Sequence, residues 1–277
     1  MTVPLRLADQ IQRDTTQVVT ALRVTDQGVQ AGSREVADEL PVAMVFDGSS
    51  LAVMLATPND IEDFALGFAF TEGYVADINE IAEFEHVAHQ DGIEARFWLS
   101  ADRSQALARR RRASVGPIGC GLCGIDSLEQ ANRPLPRIPT SDVKFSYDDI
   151  NGASRALRCV QPVHDRCRAA HAAGFLLPKK GLILAREDVG RHNALDKLTG
   201  ALLRQGVDPA TGAIVITSRI SLELVQKCAM VGCPMLVAVS APTAHAIRQA
   251  EISGLTLAAN AKGEGFDLYD PAGRLRA

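Results

Sequence analysis

Apolar positions recur along this chain at two spacings, and the spacing changes partway through. In the first half Val18–Thr25, Pro41–Phe46, Leu51–Ala56, Ile81–His86 and Ile93–Leu99 are apolar runs of strand length. Asp47-Gly48 and Asp91-Gly92 separate the second run from the third and the fourth from the fifth, so each pair predicts a tight hairpin. Between the hairpins Ile61, Phe64, Ala65 and Phe68 fall on one face of a helix. Thr57-Pro58, with Asp60 three residues on, reads as its capped start, and Gly73 reads as its stop. Ser100 caps a further helix running into Arg109–Arg112, and residues 1–16 read as a polar, frayed lead-in. This half predicts a small α+β unit.

Arg133-Pro-Leu-Pro-Arg-Ile-Pro139 suits neither helix nor sheet and reads as a linker. Beyond it a helix near Asp148–Val160 leads into short apolar runs at His171–Leu177, Leu182–Ala185, Ala213–Thr217, Met235–Val239, Leu255–Ala258 and Phe266–Tyr269. Helical patterns at Arg191–Arg204, Ser221–Val231 and Thr243–Ser253 alternate with them, which predicts a mostly parallel sheet covered on both faces. The expected class is α/β: an N-terminal α+β domain over residues 1–132, a linker over 133–142 and a C-terminal α/β domain over 143–277.

Length and composition narrow the class without naming a function. The 277 residues, 47% hydrophobic and 22% charged, have the mix of an ordinary globular chain. No apolar run reaches the length of a membrane span, and the amino-terminal stretch MTVPLRLADQIQRD lacks the apolar core of a secretory signal. Six cysteines without an export signal point to a reducing cytoplasm rather than a disulfide framework. A net charge of −4 gives no reason to expect nucleic-acid binding.

The stretch richest in chemistry is Ser114-Val-Gly-Pro-Ile-Gly-Cys120-Gly-Leu-Cys123-Gly124. Glycine and proline at this density form neither helix nor strand, and packing does not explain two thiols held in such a loop. Asp126 and Glu129 follow as a capping box, and Arg109–Arg112 precede; positive charge and a helix N-terminus both favour thiolate over thiol. The loop reads as an activated sulfur centre on a pliant tether. Gly119-Cys-Gly121-Leu-Cys-Gly124 also fits a dinucleotide fingerprint, but no buried strand precedes it. A structural zinc site would need a second Cys-x-x-Cys pair, and the other cysteines, Cys159, Cys167, Cys228 and Cys233, do not form one. A thioredoxin-like pair has the right spacing, yet that motif opens a helix directly after a strand.

In doubly covered sheets ligands bind beyond the carboxyl ends of the strands. Here those ends are Arg186-Glu-Asp188, Thr217-Ser-Arg219, Ser240-Ala-Pro-Thr243 and Asn260-Ala261-Lys262-Gly263-Glu264-Gly265. Hydroxyl, amide and cationic groups beside helix starts and glycine turns suit an anionic ligand, although caps and turns alone use the same residues. Asp188-Val-Gly-Arg191-His192-Asn193-Ala-Leu-Asp196-Lys197 concentrates polar groups at one strand-to-helix junction, with Asp188 the natural N-cap, and reads as part of a site. His171 is a further candidate.

Together Ala56-Thr-Pro-Asn-Asp-Ile-Glu-Asp-Phe-Ala-Leu-Gly67-Phe, Cys120-Gly-Leu-Cys123-Gly, His171-Ala-Ala, Ala185-Arg-Glu-Asp-Val-Gly-Arg-His-Asn-Ala-Leu-Asp-Lys197, Val225-Gln-Lys227 and Ser240-Ala-Pro-Thr243 resemble the formate dehydrogenase accessory sulfurtransferase family, from about residue 38 onward. The resemblance implies a homodimer whose C-terminal domain has a cytidine deaminase-like fold. It implies that sulfur arrives from a cysteine desulfurase as a persulfide, Cys120 being the carrier and Cys123 its partner. It further implies delivery to the molybdenum of bis(molybdopterin guanine dinucleotide) before that cofactor enters formate dehydrogenase. The guanine dinucleotide, a GDP-like moiety, would lie at Asn260–Gly265, with Arg219, His192, Asp188 and His171 completing the cofactor site. No resident metal is expected. Where the family has Phe-x-Arg-x-x-Arg this chain has Asn260, Lys262 and Gly265, one cation in place of two. A cofactor-binding chaperone without sulfur transfer is the alternative. A zinc deaminase is disfavoured, because His171 is followed by Ala-Ala rather than x-Glu.

Overall fold

The computed structural model describes residues 5–6, 13–113 and 134–276. The first half folds around a five-stranded sheet in the order β1-β6-β7-β4-β5, where β1 is Leu5–Arg6, β4 Leu40–Phe46, β5 Ser49–Ala56, β6 Ile81–His89 and β7 Gly92–Leu99. The two predicted hairpins are β4–β5 and β6–β7, with Asp47 and Gly48 both at positive φ. Helix α1 (Ile61–Thr71) lays Phe64 and Phe68 into a core with Phe46, Phe84 and Phe97, and Phe46 stacks on Phe97 at 4.6 Å. Helix α2 (Ala101–Ala113) follows β7.

Three details depart from the sequence pattern here. Leu5–Arg6 is not frayed but pairs in parallel with Phe84 and Glu85 of β6. β2 (Thr16–Thr25) has a partner the pattern hides, β3 (Gly28–Ala37), and the two form a separate antiparallel ribbon. Both of its faces meet solvent along most of its length, so β3 shows no apolar alternation. Helix α1 starts at Ile61 rather than after Thr57: its N-cap is Asp60 at φ 52°, without a side-chain cap bond.

The second half is built on a six-stranded sheet, β13-β12-β11-β10-β8-β9. Its strands are β8 (His171–Leu177), β9 (Gly181–Asp188), β10 (Ala213–Ile216), β11 (Met235–Ala238), β12 (Thr256–Ala259) and β13 (Asp267–Tyr269). Ile214, Ile216, Leu236 and Leu257 face a core with α5 (Arg191–Gln205), α6 (Leu222–Val231) and α7 (Ala244–Ser253). Alternate residues Val215, Met235 and Val237 face α3 (Tyr147–Arg158), while the short α4 (Pro162–Cys167) lies beside β9 and the ribbon. Burial on both faces is as expected, but the sheet is mixed. Only β10-β11-β12 run parallel; β8, β9 and β13 join antiparallel. The reason is a hairpin after Leu177, turned by Lys179 and Gly181 at positive φ, which replaces a helical crossover. The proline-rich stretch from Pro134 runs without helix or strand, and Ile138 is buried in the second core with its N–H donated to Ser253 O.

The two halves meet where α1 crosses α5 antiparallel, backbone against backbone. A Cβ placed on Gly67 would lie 1.8 Å from the Asp196 carbonyl oxygen, and one on Gly200 would lie 1.9 Å from that of Asp63. Charges are folded into the same seam. Lys197 Nζ, 0% exposed, pairs with Asp188 at 2.8 Å and donates to the Thr57 carbonyl and Asn59 Oδ1. Asp188 in turn accepts from the backbone of Thr57 and Gly190 and from Asn193, which also donates to Leu55 O. Next to Lys197 on α5, Asp196 accepts from Lys227 of α6, which also bonds Thr71 and Glu72. Burial pushes the Asp196 carboxyl up to about 6 against the pull of Lys227. At the far end Asp63, almost fully buried, holds Arg186 and Arg204. Every buried charge here has a partner across the seam, so the site-bearing sheet is fixed relative to the first half.

Two substitutions test this seam. Gly200→Ala is expected to destabilise the protein by about 2 kcal/mol or more, because backbone cannot yield to a methyl as a side chain can. Gly152→Ala, on the open face of α3, is expected to stabilise it by about 0.5–1 kcal/mol. Urea midpoints check both signs. Lys197→Met leaves Asp188 buried and unpaired and is expected to cost about 3–5 kcal/mol in the same assay; a loss below about 1 kcal/mol contradicts the seam's role.

Candidate functional site

The carboxyl ends of β9, β10, β11 and β12 open on one edge of the second sheet, and β8, running the other way, begins there. That topology gathers His171, Thr217, Ser218, Arg219, Ser240 and the Asn260–Gly265 loop along one rim, with the first turn of α5 behind them. The rim carries two clusters. β10 and β11 lie between β12 and β8, so the clusters stand three strand spacings apart, roughly 14 Å.

The first cluster surrounds β8, β9 and β10. His171 Nδ1 lies 3.3 Å from Thr217 Oγ1, and burial, reinforced by Arg191, holds its imidazole below the ordinary value. His192 sits in the first turn of α5, with Nε2 3.9 Å from a Glu223 carboxylate oxygen. Burial, with Arg191 and Lys227 nearby, lowers the His192 imidazole to about 4, so at neutral pH it is uncharged. Its Nε2 is shut off from solvent and has no hydrogen-bond partner among the described residues. Arg219 is exposed on the rim. Together these residues set two neutral imidazoles between cations at the end of a sheet, an arrangement able to bind an anionic group or move a proton.

The second cluster is the loop after β12. Asn260, at φ 55°, donates from Nδ2 to Asp267 at 2.6 Å. Gly263 and Gly265 are at φ 95° and 116°, conformations that resist any side chain. Asn151 of α3 clamps the loop from behind, accepting the Gly265 N–H and donating to the Gly263 carbonyl, and Ser154 bonds the Ala261 carbonyl. Lys262 and Glu264 are exposed. Ala261 itself is fully buried, with its N–H on Ala238 O, so it shapes the loop and presents no side chain to a ligand.

Asp188 is the clearest revision. It is neither an N-cap nor open to a ligand: the α5 N-cap is Gly190, without a side-chain bond, and Asp188 is enclosed with Lys197. The same holds for most of the polar run around it. Arg186 pairs with Asp63, Glu187 accepts the N–H groups of Val163 and His164 at the start of α4, and Asn193, Asp196 and Lys197 serve the seam. Arg191 and His192 are left at the rim. Sequence reasoning passed over Glu223, Asn151 and Ser154, which sit inside ordinary amphipathic helices with no local signal. Cys120 and Cys123 lie outside the described residues. Cys228 and Cys233 are core residues whose thiols burial pushes up, Cys233 to about 12, while Cys159 is exposed and Cys167 half-buried. Among the described residues no group of three or more His, Cys, Asp or Glu side chains is placed to hold a metal, and no helix is long and apolar enough to cross a membrane.

Comparison with known proteins places this geometry in a family. The model of the FdhD/NarQ family matches residues 37–276. The chain is 46% identical to a sulfur carrier protein FdhD of Agrobacterium fabrum over 92% of its own length and 94% of that protein's. It is 49% identical to one of Brucella abortus biovar 1, covering 90% and 92% of the two chains, and 44% identical to one of Bordetella bronchiseptica, covering 95% and 94%. Its fold matches a crystal structure described as that of a formate dehydrogenase accessory protein from Desulfotalea psychrophila, with TM-score 0.76, 23% identity, and coverage of 95% of this chain and 100% of that one. A family match over nearly the whole length, joined by relatives close to half identical, shows that the chain belongs to the FdhD/NarQ family.

Proposed function

We propose that this protein is a sulfur carrier serving formate dehydrogenase, and that it acts as a sulfurtransferase through a cysteine persulfide. The observation that carries the reading is the Cys120-Gly-Leu-Cys123 loop in a chain whose relatives, at 44–49% identity, are named sulfur carriers. A cysteine desulfurase supplies sulfane sulfur: the Cys120 thiolate attacks the outer sulfur of the donor's persulfide, that S–S bond breaks, and the donor leaves as thiolate. The loaded loop then meets the acceptor, the molybdenum of bis(molybdopterin guanine dinucleotide), taken here as substrate. Cys123 thiolate attacks Cys120 Sγ and expels the outer sulfur as hydrosulfide to the metal. The sulfane sulfur is thereby reduced by two electrons while the pair is oxidised to a disulfide, which a cellular dithiol must reduce before the next cycle. Gly119, Gly121 and Gly124 stand beside the two cysteines in sequence, and glycine restricts the backbone least.

The rim of the second sheet is the acceptor's seat in this reading. A dinucleotide-bearing cofactor is long enough to touch both clusters across about 14 Å, phosphates at the Lys262 loop and the metal end toward His171, His192 and Arg219. A neutral His192 beside Glu223 is suited to hold or pass a proton there. The same reading has a homodimer in the cytoplasm and a second half of cytidine deaminase-like architecture, and it requires neither nucleic acid nor membrane.

Incubation with a cysteine desulfurase and 35S-cysteine tests the assignment. Mass spectrometry is expected to find one added sulfur on wild type and on Cys123→Ala, and none on Cys120→Ala. Cys123→Ala is expected to load yet deliver poorly. Normal loading of Cys120→Ala refutes the carrier assignment, and an unlabelled wild type favours cofactor handling without sulfur transfer.

A further inference from the structure

The loop proposed as the phosphate seat carries a single cation of its own, Lys262. Three backbone groups around it are unspent: among the described residues the N–H groups of Lys262, Gly263 and Glu264 donate to no acceptor, whereas their neighbours Ala261 and Gly265 do. Open N–H groups on a glycine turn with positive φ form a concave donor set that favours an anion. The turn is also a built feature, since Asn151 bonds it at two points and Ser154 at a third. Helix α3 therefore lies directly against it.

One residue of α3 faces this turn with its charge unused. Arg155 is exposed, makes no ion pair among the described residues, and brings Nη2 within 3.5 Å of where a Cβ on Gly263 would stand. Other arginines on this side are engaged: Arg158 with Asp165, Arg166 with Asp14 and Glu35. Of the two carboxylates near the loop, Asp267 is turned onto the Asn260 amide and Glu264 is exposed, so neither is paired with Arg155 among the described residues. Tyr147, at the start of α3, stacks on Phe266 with ring centroids 5.7 Å apart and is half-exposed, an aromatic platform of the kind a base can extend.

We propose that Arg155 of α3 is a phosphate-binding residue of this site, flanking the glycine turn at Gly263 and supplying a second cation beside Lys262. This rests on the reading of the Asn260–Gly265 loop as a nucleotide seat. The ligand class it specifies is a nucleoside diphosphate or the diphosphate of a dinucleotide, held by Lys262, Arg155 and open N–H groups together. A planar guanidinium can take two phosphate oxygens at once, which an ammonium cannot.

Isothermal calorimetry with GDP and with guanosine tests this. Wild type is expected to bind GDP more tightly than guanosine. Arg155→Ala is expected to weaken GDP binding about tenfold or more and to leave guanosine binding unchanged. Arg155→Lys, which keeps the charge, should recover part of the loss. Because Arg155 is exposed, thermal melts should coincide for all three proteins. Equal GDP affinity in wild type and Arg155→Ala overturns the Arg155 assignment and leaves the loop reading standing. Parallel loss of GDP and guanosine also overturns it, since Arg155 would then only prop the loop. A wild type that binds neither ligand, with Lys262→Ala no different, removes the loop reading itself.

Discussion

The interaction on which the rest depends is the antiparallel crossing of α1 and α5, where two glycines let helix backbones touch. Side chains would hold such a pair 8–10 Å apart, with room for packing adjustments. With Gly67 set on Asp196 and Gly200 on Asp63, no adjustment is available. The buried pairs Asp188–Lys197 and Asp196–Lys227, each formed within the second half, then sit in this seam, where Asp188 and Lys197 also bond Thr57 and Asp196 and Lys227 also bond Thr71 of the first half. Such pairs add little net stability over apolar packing. They do penalise alternative registrations of the two halves.

This seam also explains why so much polarity is concentrated in one short run. Arg186 to Lys197 spans the end of β9 and the first turns of α5, a stretch that faces both the rim and the first half. Its residues divide by direction. Arg186, Glu187, Asp188, Asn193, Asp196 and Lys197 turn inward, and Arg191 and His192 stay at the rim, His192 neutral because the same burial that secures the seam disfavours its charge. Structure and site are thus adjacent in sequence without being the same residues.

Much of the fold was legible because it is locally encoded. Asp47-Gly48 and Asp91-Gly92 turn their hairpins, Ser146 and Thr243 cap their helices, and the doubly buried strands β10, β11 and β12 read as continuous apolar runs. What escaped is set by contacts distant in sequence. Thr57 looks like an N-cap, but its hydroxyl accepts from Val189 and its N–H goes to Asp188, so the helix waits until Ile61. The β8–β9 hairpin turns through Pro178-Lys-Lys-Gly181, but the helices alternating with the later strands suggest a parallel sheet throughout, and the sheet is in fact mixed. The loop's glycines were readable as special backbone, whereas its anchors Asn151 and Ser154 lie more than a hundred residues upstream and look like any exposed helix positions. Polarity in a sequence tells that a group needs a partner; it does not tell whether that partner is protein or ligand.

Sulfur carried on this chain, as proposed, should reach a cofactor seated at the sheet edge. The most direct measurement is a single turnover: protein loaded with 35S persulfide, freed of desulfurase, is mixed with bis(molybdopterin guanine dinucleotide) and then with formate dehydrogenase lacking its cofactor. Label is expected to leave the protein in step with its appearance on the cofactor and with the rise of formate oxidation. Full activation with the label still on the chain, or shed as free sulfide, would contradict it.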